Sequence, residues 1–152
     1  MRKHRGILAV MAALSLFSCA AWAEDGGTKD IPSLRAQAES GDADAQYQLG
    51  EAYQKGEGVR QDDVQAIKWF QASANQADAD AQTALGFAYR GGFGVPKDEV
   101  LAYMWFDLAA QQGNEEASDM RFAVAELMTY DQISDARKKS KEWKPAKPVA
   151  VR

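Results

Sequence analysis

The sequence predicts an all-α fold, a solenoid of antiparallel helix pairs. Trp69-Phe70 recurs as Trp105-Phe106, and the 36-residue offset holds across the middle of the chain: 18 of the 36 positions in 43–78 are identical in 79–114. A fixed period of this size marks stacked helical units, each unable to bury its apolar face alone. Within each unit, apolar residues follow helical spacing in two stretches. Aspartates precede the stretches and Gly-x-Gly separates them, which are the start and stop signals of helices.

Residues 1–23 read as a processing segment rather than as fold. Arg2, Lys3 and Arg5 lead into an uncharged, mostly apolar run from Ile7 to Phe17, and Ala21-Trp22-Ala23 is a small-x-small cleavage signal. The run is short for a bilayer span. The expected cut lies between Ala23 and Glu24, which points to a bacterial periplasmic protein. Leu16-Phe17-Ser18-Cys19 also resembles a lipoprotein processing box, and acylation at Cys19 would make the product an outer-membrane lipoprotein. Either way, residues 24–30 form a short linker. Cleavage at Ala23 removes Cys19 and His4, the chain's one cysteine and one histidine. That leaves no disulfide framework, no thiol nucleophile and no imidazole for metal or proton chemistry.

The array is expected over 31–143. Residues 31–40 look like the second helix of an incomplete unit, with Pro32 in the first turn and Gly41 at its end. Leu34 is in register with Phe70 and Phe106, and Ala38 with Ala74 and Ala110. The first full unit opens at the cap Asp42 and should be helical over 43–55, with Ala45, Leu49, Ala52 and Tyr53 on its buried side. Gly56 and Gly58 end it, because glycine takes the left-handed backbone without a Cβ clash. Asp62 caps the next helix, with Gln65 placed for a capping box. Val64, Ala66, Ile67, Trp69, Phe70, Ser73 and Ala74 give that helix its expected buried side.

The second unit repeats this with Asp78, Leu85, Tyr89, Gly92, Gly94, Val95, Asp98, Ala102, Trp105, Phe106 and Ala110. Gly50 and Gly86 lie inside helices, where glycine costs about 1 kcal/mol against alanine. Their shared phase suggests close approach of the partner helix. Asn114 caps a third first-type helix, 115–128, in which Arg121 and Phe122 stand where leucine and glycine stood before. Terminal units depart from consensus in this way. Thr129 with Gln132 forms a capping box for a last helix, 130–143, which carries Ile133, Ala136, Ser140 and Trp143. Trp69, Trp105 and Trp143 are read as structural, filling space between helices.

The run Asp-Ala-x-Ala-Gln-x-x-Leu-Gly-x-x-Tyr, then Gly-x-Gly-Val-x-x-Asp-x-x-x-Ala-x-x-Trp-Phe-x-x-x-Ala, resembles the Sel-1-like repeat, a relative of the tetratricopeptide repeat. The resemblance spans about 31–143, with full repeats at 43–78 and 79–114 and degenerate ends. It implies a right-handed superhelix of about seven helices. It also implies a scaffold or adaptor that holds a protein or peptide partner. Some members pair cysteines between the helices of a repeat, and this chain lacks them.

Charge is divided unevenly. Residues 24–136 carry 21 acids and 8 bases, while 137–152 carry 7 bases and 1 acid. An acidic body argues against nucleic acid. The Pro/Lys-rich tail, 144–152, is the one segment besides an acylated Cys19 that could touch a membrane. With the first helix of each pair lining the concave face, the candidate partner-binding residues are Asp44, Tyr47, Glu51, Gln54 and Lys55, then Asp80, Thr83, Phe87 and Arg90. Tyr47 and Phe87 could anchor a peptide or pack as core. No nucleophile elbow, zinc-helix motif or phosphate loop is present. The expectation is no catalytic residue, no metal and no cofactor. A small cell-wall-acting hydrolase built on carboxylates such as Asp62-Asp63 or Glu115-Glu116 is the catalytic alternative.

Overall fold

Asp42, Asp62, Asp78 and Asp98 each start a helix in the same way: the carboxylate accepts the N–H three residues on, filling one of the orphan donors of a first turn. The computed structural model describes residues 30–146. Among them the chain forms seven helices and no strand: α1 (Ile31–Glu39), α2 (Ala43–Lys55), α3 (Asp63–Ala74), α4 (Ala79–Gly91), α5 (Glu99–Gln111), α6 (Glu115–Ala125) and α7 (Tyr130–Glu142). The expected processing site at Ala23 and Glu24, the alternative Cys19 and most of the basic tail lie outside the described residues.

Helices α2–α3 and α4–α5 are the two hairpins. Gly56 and Gly92 close α2 and α4 at φ 73° and 75°, the left-handed conformation expected of them. The loop then returns so that the Asp62 N–H donates to the Tyr53 carbonyl and the Asp98 N–H to the Tyr89 carbonyl, both at 2.9 Å. This corrects one expectation. The Asp62 N–H is taken by Tyr53, so the Gln65 half of the expected capping box has no orphan to satisfy. The full box forms at Thr129 and Gln132, as expected.

Leu49, Phe70, Leu85 and Phe106 are the largest apolar side chains wholly removed from water, with Trp69 and Trp105 buried beside them. The two helical glycines have a specific reason. A Cβ on Gly50 would lie 2.6 Å from the Phe70 ring, and one on Gly86 2.5 Å from the Phe106 ring. The expected close approach is therefore of a side chain rather than a backbone: the second helix of each hairpin lays a phenylalanine face on the glycine of the first.

Stacking between units uses glutamine. Gln46 donates to the Ala38 carbonyl at 3.0 Å, and Gln82 to the Ala74 carbonyl at 3.3 Å. Both side chains are buried. Each first helix thus grips the C-terminal end of the second helix before it. The chain turns there at Gly41, Ala77 and Gly113, spaced by the repeat, with φ 100°, 69° and 93°.

Two further expectations are corrected. Val64 is 54% exposed rather than buried. It sits at the second position of α3, before the helix has entered the core. Helix α6 stops at Ala125 rather than 128, because Thr129 must be extended to cap α7 (φ −75°, ψ 161°) and the intervening residues form the turn. Helix α7 closes the array against α5. Ala136 is fully buried, and Trp143 meets Trp105 edge-on at 6.2 Å. Beyond Trp143 the chain doubles back, and the Ala146 N–H donates to the Asn75 carbonyl at 2.7 Å, at the end of α3.

Candidate partner-binding groove

The first helices α2, α4 and α6 share one face, because each repeat places its opening helix in the same orientation. A shallow cavity of about 240 Å³ spans them. Tyr47 and Gln54 come from α2, Asp80, Thr83, Ala84 and Phe87 from α4, and Glu116 from α6. Five of the expected partner-binding residues, Tyr47, Gln54, Asp80, Thr83 and Phe87, are therefore brought together. Asp44, Glu51 and Arg90 flank the cavity without lining it. Glu51 and Lys55 form an ion pair at 2.8 Å one turn apart, and the Arg90 guanidinium lies 3.3 Å from the Met120 sulfur. Thr83 contributes shape rather than a free hydroxyl: it is buried, and its Oγ1 donates to the Ala79 carbonyl at 2.8 Å.

Of the two roles left open for them, Tyr47 and Phe87 fill that of core packing, and both rings also border the cavity. Tyr47 packs on Phe70 with centroids 5.7 Å apart, and Phe87 meets Phe106 edge-on at 5.2 Å. The opposite edge of each ring lines the groove. A ring clamped from behind has lost its rotamer entropy before a ligand arrives, which is what an anchoring surface requires.

The groove is electrostatically negative. Burial, with Glu51, Asp80 and Asp78 close by, pushes the Tyr47 phenol up to about 12, so it remains a neutral donor. Burial also raises the Asp78 carboxyl, with Asp80 and Asp44 adding repulsion against the stabilising Ala81 N–H. Glu116, named from the sequence only as half of the Glu115-Glu116 carboxylate pair and not as a groove residue, completes a column. Asp44, Asp80 and Glu116 are each 36 residues apart, so extending the register into the third unit would have found it. Gln76 and Gln112 were also missed. Gln76 Nε2 donates to Gln46 Oε1 and Gln112 Nε2 to Gln82 Oε1, at 2.8 Å each, so they support the inter-repeat seam rather than the groove.

An aromatic, carboxylate-rimmed trough of this size can hold one or two side chains of an extended segment and accept hydrogen bonds from a cation. Among the described residues no cluster of three or more His, Cys, Asp or Glu is placed to hold a metal ion, and no helix is long and apolar enough to cross a membrane.

The family model for the Sel1 repeat matches residues 43–78 and 79–114. Among solved structures, a protective antigen present in uropathogenic Escherichia coli strains and displaying an SLR fold is similar at TM-score 0.73 and 33% identity, over 74% of this chain and 24% of that one. A Sel1 repeat protein from Oxalobacter formigenes is similar at TM-score 0.54 and 41% identity, over 54% of this chain and 63% of that one. The chain thus spans about a quarter of the first relative's length and less than two thirds of the second's. No curated protein matches the sequence.

Proposed function

The chain belongs to the Sel1-repeat family, and from that premise we propose that it is a non-catalytic interaction scaffold that holds an extended, cationic segment of a partner protein against α2, α4 and α6. The observation that carries this reading is the groove's composition. Two rings fixed by the core flank a cavity rimmed by Asp80 and Glu116. A lysine or arginine of the partner would meet those carboxylates, and its stem would lie on the rings, an arrangement that favours cations. Sel1 repeats are commonly scaffolds for other proteins, which agrees with this assignment.

We place the protein in the periplasm on the strength of the positive start, the apolar run and Ala21-Trp22-Ala23. The Leu16-to-Cys19 box supports a second reading, an adaptor anchored by lipid. Mass spectrometry of the mature N-terminus separates them: Glu24 free for the soluble form, acylated Cys19 for the anchored one.

A photo-crosslinking side chain at Gln54, with a second at exposed Val64 as control, tests the groove in living cells. Crosslinks to a Lys- or Arg-bearing segment from position 54 and not from 64 are expected. With that segment as a synthetic peptide, Asp80→Asn with Glu116→Gln should weaken binding roughly tenfold. Equal crosslinking from both positions, or unchanged binding by the double variant, overturns the reading.

A further inference from the structure

Helices α6 and α7 do not form a third hairpin. The two preceding hairpins are locked by a phenylalanine laid on a glycine, Phe70 on Gly50 and Phe106 on Gly86. At the same phase, 36 residues on, the glycine has become Phe122 and the phenylalanine has become Glu142. Both halves of the lock are gone, and a Phe122 side chain stands where the partner helix would approach. Helix α7 accordingly packs on α5 and barely touches α6. A cleft of about 300 Å³ opens between them, with α5 as its floor.

The cleft's lining differs in sign from the rest of the surface. Arg121, Arg137 and Lys141 point into it, against the single carboxylate of Asp107. Asp107 is already committed: Arg121 pairs with it at 2.7 Å, and Ser140 and Gln111 donate to its other oxygen. Arg137 and Lys141 are one turn apart on α7 and therefore share a face. Arg137 is held by its Nε donating to the Tyr103 hydroxyl at 3.1 Å, which leaves the outer guanidinium nitrogens for a ligand. Lys141 makes no ion pair among the described residues. Beside these cations lies an apolar bed: Phe122 is 62% exposed, with the Arg121 guanidinium 4.9 Å from its ring centre, and Ile133 faces it from α7.

We propose that this cleft is a second recognition site, which takes an acidic peptide segment of another protein, a carboxylate seated between Arg137 and Lys141 and a neighbouring apolar side chain on Phe122 and Ile133. Charge complementarity selects the acid, since the cleft is cationic on a molecule whose body is acidic. The shape selects a peptide over a membrane surface, because Phe122 and Ile133 stand on opposite walls, on α6 and α7, where a single side chain enters between them. An exposed phenylalanine in a pocket is also the kind of residue on which interface energy concentrates. This site is separate from the groove on α2, α4 and α6, and it stands whether or not that groove binds.

The test uses the full chain and a fluorescein-labelled peptide with a Glu-Leu-Glu-Phe core in a Gly-Ser frame, followed by anisotropy. Saturable binding is expected, weakened about tenfold or more by Arg137→Gln with Lys141→Gln, and similarly by Phe122→Ser. Both α7 side chains are exposed, so circular dichroism should show the fold unchanged. Val64→Ser, an exposed position on α3 outside the cleft, should leave the affinity as it was. The proposal is overturned if the peptide shows no saturable binding. It also fails if the Gln-Leu-Gln-Phe peptide binds equally, or if the cleft variants bind like the parent. Binding of the full chain to phosphatidylglycerol vesicles but not to the peptide would reassign the site to lipid. Self-association lost in the cleft variants would reassign it to a second copy of the chain.

Discussion

Gln112 reaches across the turn after α5 to donate to Gln82 Oε1 at 2.8 Å, and Gln76 does the same to Gln46 one repeat earlier at the same distance. Each accepting glutamine is buried and spends its own amide on the carbonyl of the preceding helix end, Ala74 or Ala38. The seam between repeats is thus a polar relay inside an apolar stack. Gln82→Met keeps the volume and removes both bonds. It should cost about 1–2 kcal/mol in urea unfolding, the usual loss when buried partners are left unpaired. Gln112→Ala alone should cost less, because it removes one bond rather than two and truncating the exposed Gln112 opens the Gln82 oxygen to water.

Gly86→Ala should destabilise by about 1–3 kcal/mol despite alanine's better helix propensity. The added Cβ would sit 2.5 Å from Phe106, a ring with no solvent-exposed surface and no room to retreat. Phe106→Leu in the same background should recover part of the loss, and a double-mutant cycle by thermal unfolding measures it.

Ser73 has a buried hydroxyl without a hydrogen-bond partner. The second repeat places Ala109, fully buried, at the same phase. Ser73→Ala should therefore stabilise the fold by about 1 kcal/mol, readable as an increase in the denaturation midpoint at unchanged slope.

Ala77 holds φ 69°, where Gly41 and Gly113 stand in the neighbouring units. A Cβ in that region costs energy that glycine does not incur. Ala77→Gly should raise stability by about 0.5–1 kcal/mol, measured by the same unfolding curves.

Tyr47 provides a test at alkaline pH. Its folded pKa of about 12 lies above the ordinary value of 10. The stability it contributes is complete below pH 10 and is lost as the pH rises from 10 toward 12. An ultraviolet titration of the parent minus Tyr47→Phe should show a single tyrosine ionising near 12. A difference curve centred at 10 would mean that the phenol does not sit among those carboxylates.

Much of this architecture is legible in the residues themselves. Helix starts are written as Asp42, Asp62, Asp78, Asp98, Asn114 and Thr129, because a side chain that satisfies an orphan N–H is a local signal. Helix ends at Gly56 and Gly92 are equally local. What resisted reading depends on tertiary placement. Val64 looks like a core residue by spacing, yet lies before the helix meets its neighbour. Leu127 and Met128 look like continued helix, although Leu127 is 69% exposed in a turn. Glu116 could have been found by register alone. The glutamine relay and the Asp107 network could not, because a glutamine or aspartate letter does not say which carbonyl or guanidinium will face it. The helical spacing puts Tyr47 and Phe87 on the face that borders the cavity, but their contact with Phe70 and Phe106 needed coordinates.

The bond from Ala146 to Asn75 changes how the array can come apart. A stack whose units touch only their neighbours can peel from one end, hairpin by hairpin. Here the segment after the last helix is fastened two helices inward, at the end of α3, while the last helix itself rests on α5. Fraying from that end must release a clasp on the first repeat before it can loosen the second. The clasp adds a contact beyond nearest neighbours, and opening that end forfeits about 0.5–1.5 kcal/mol that a plain stack would not hold.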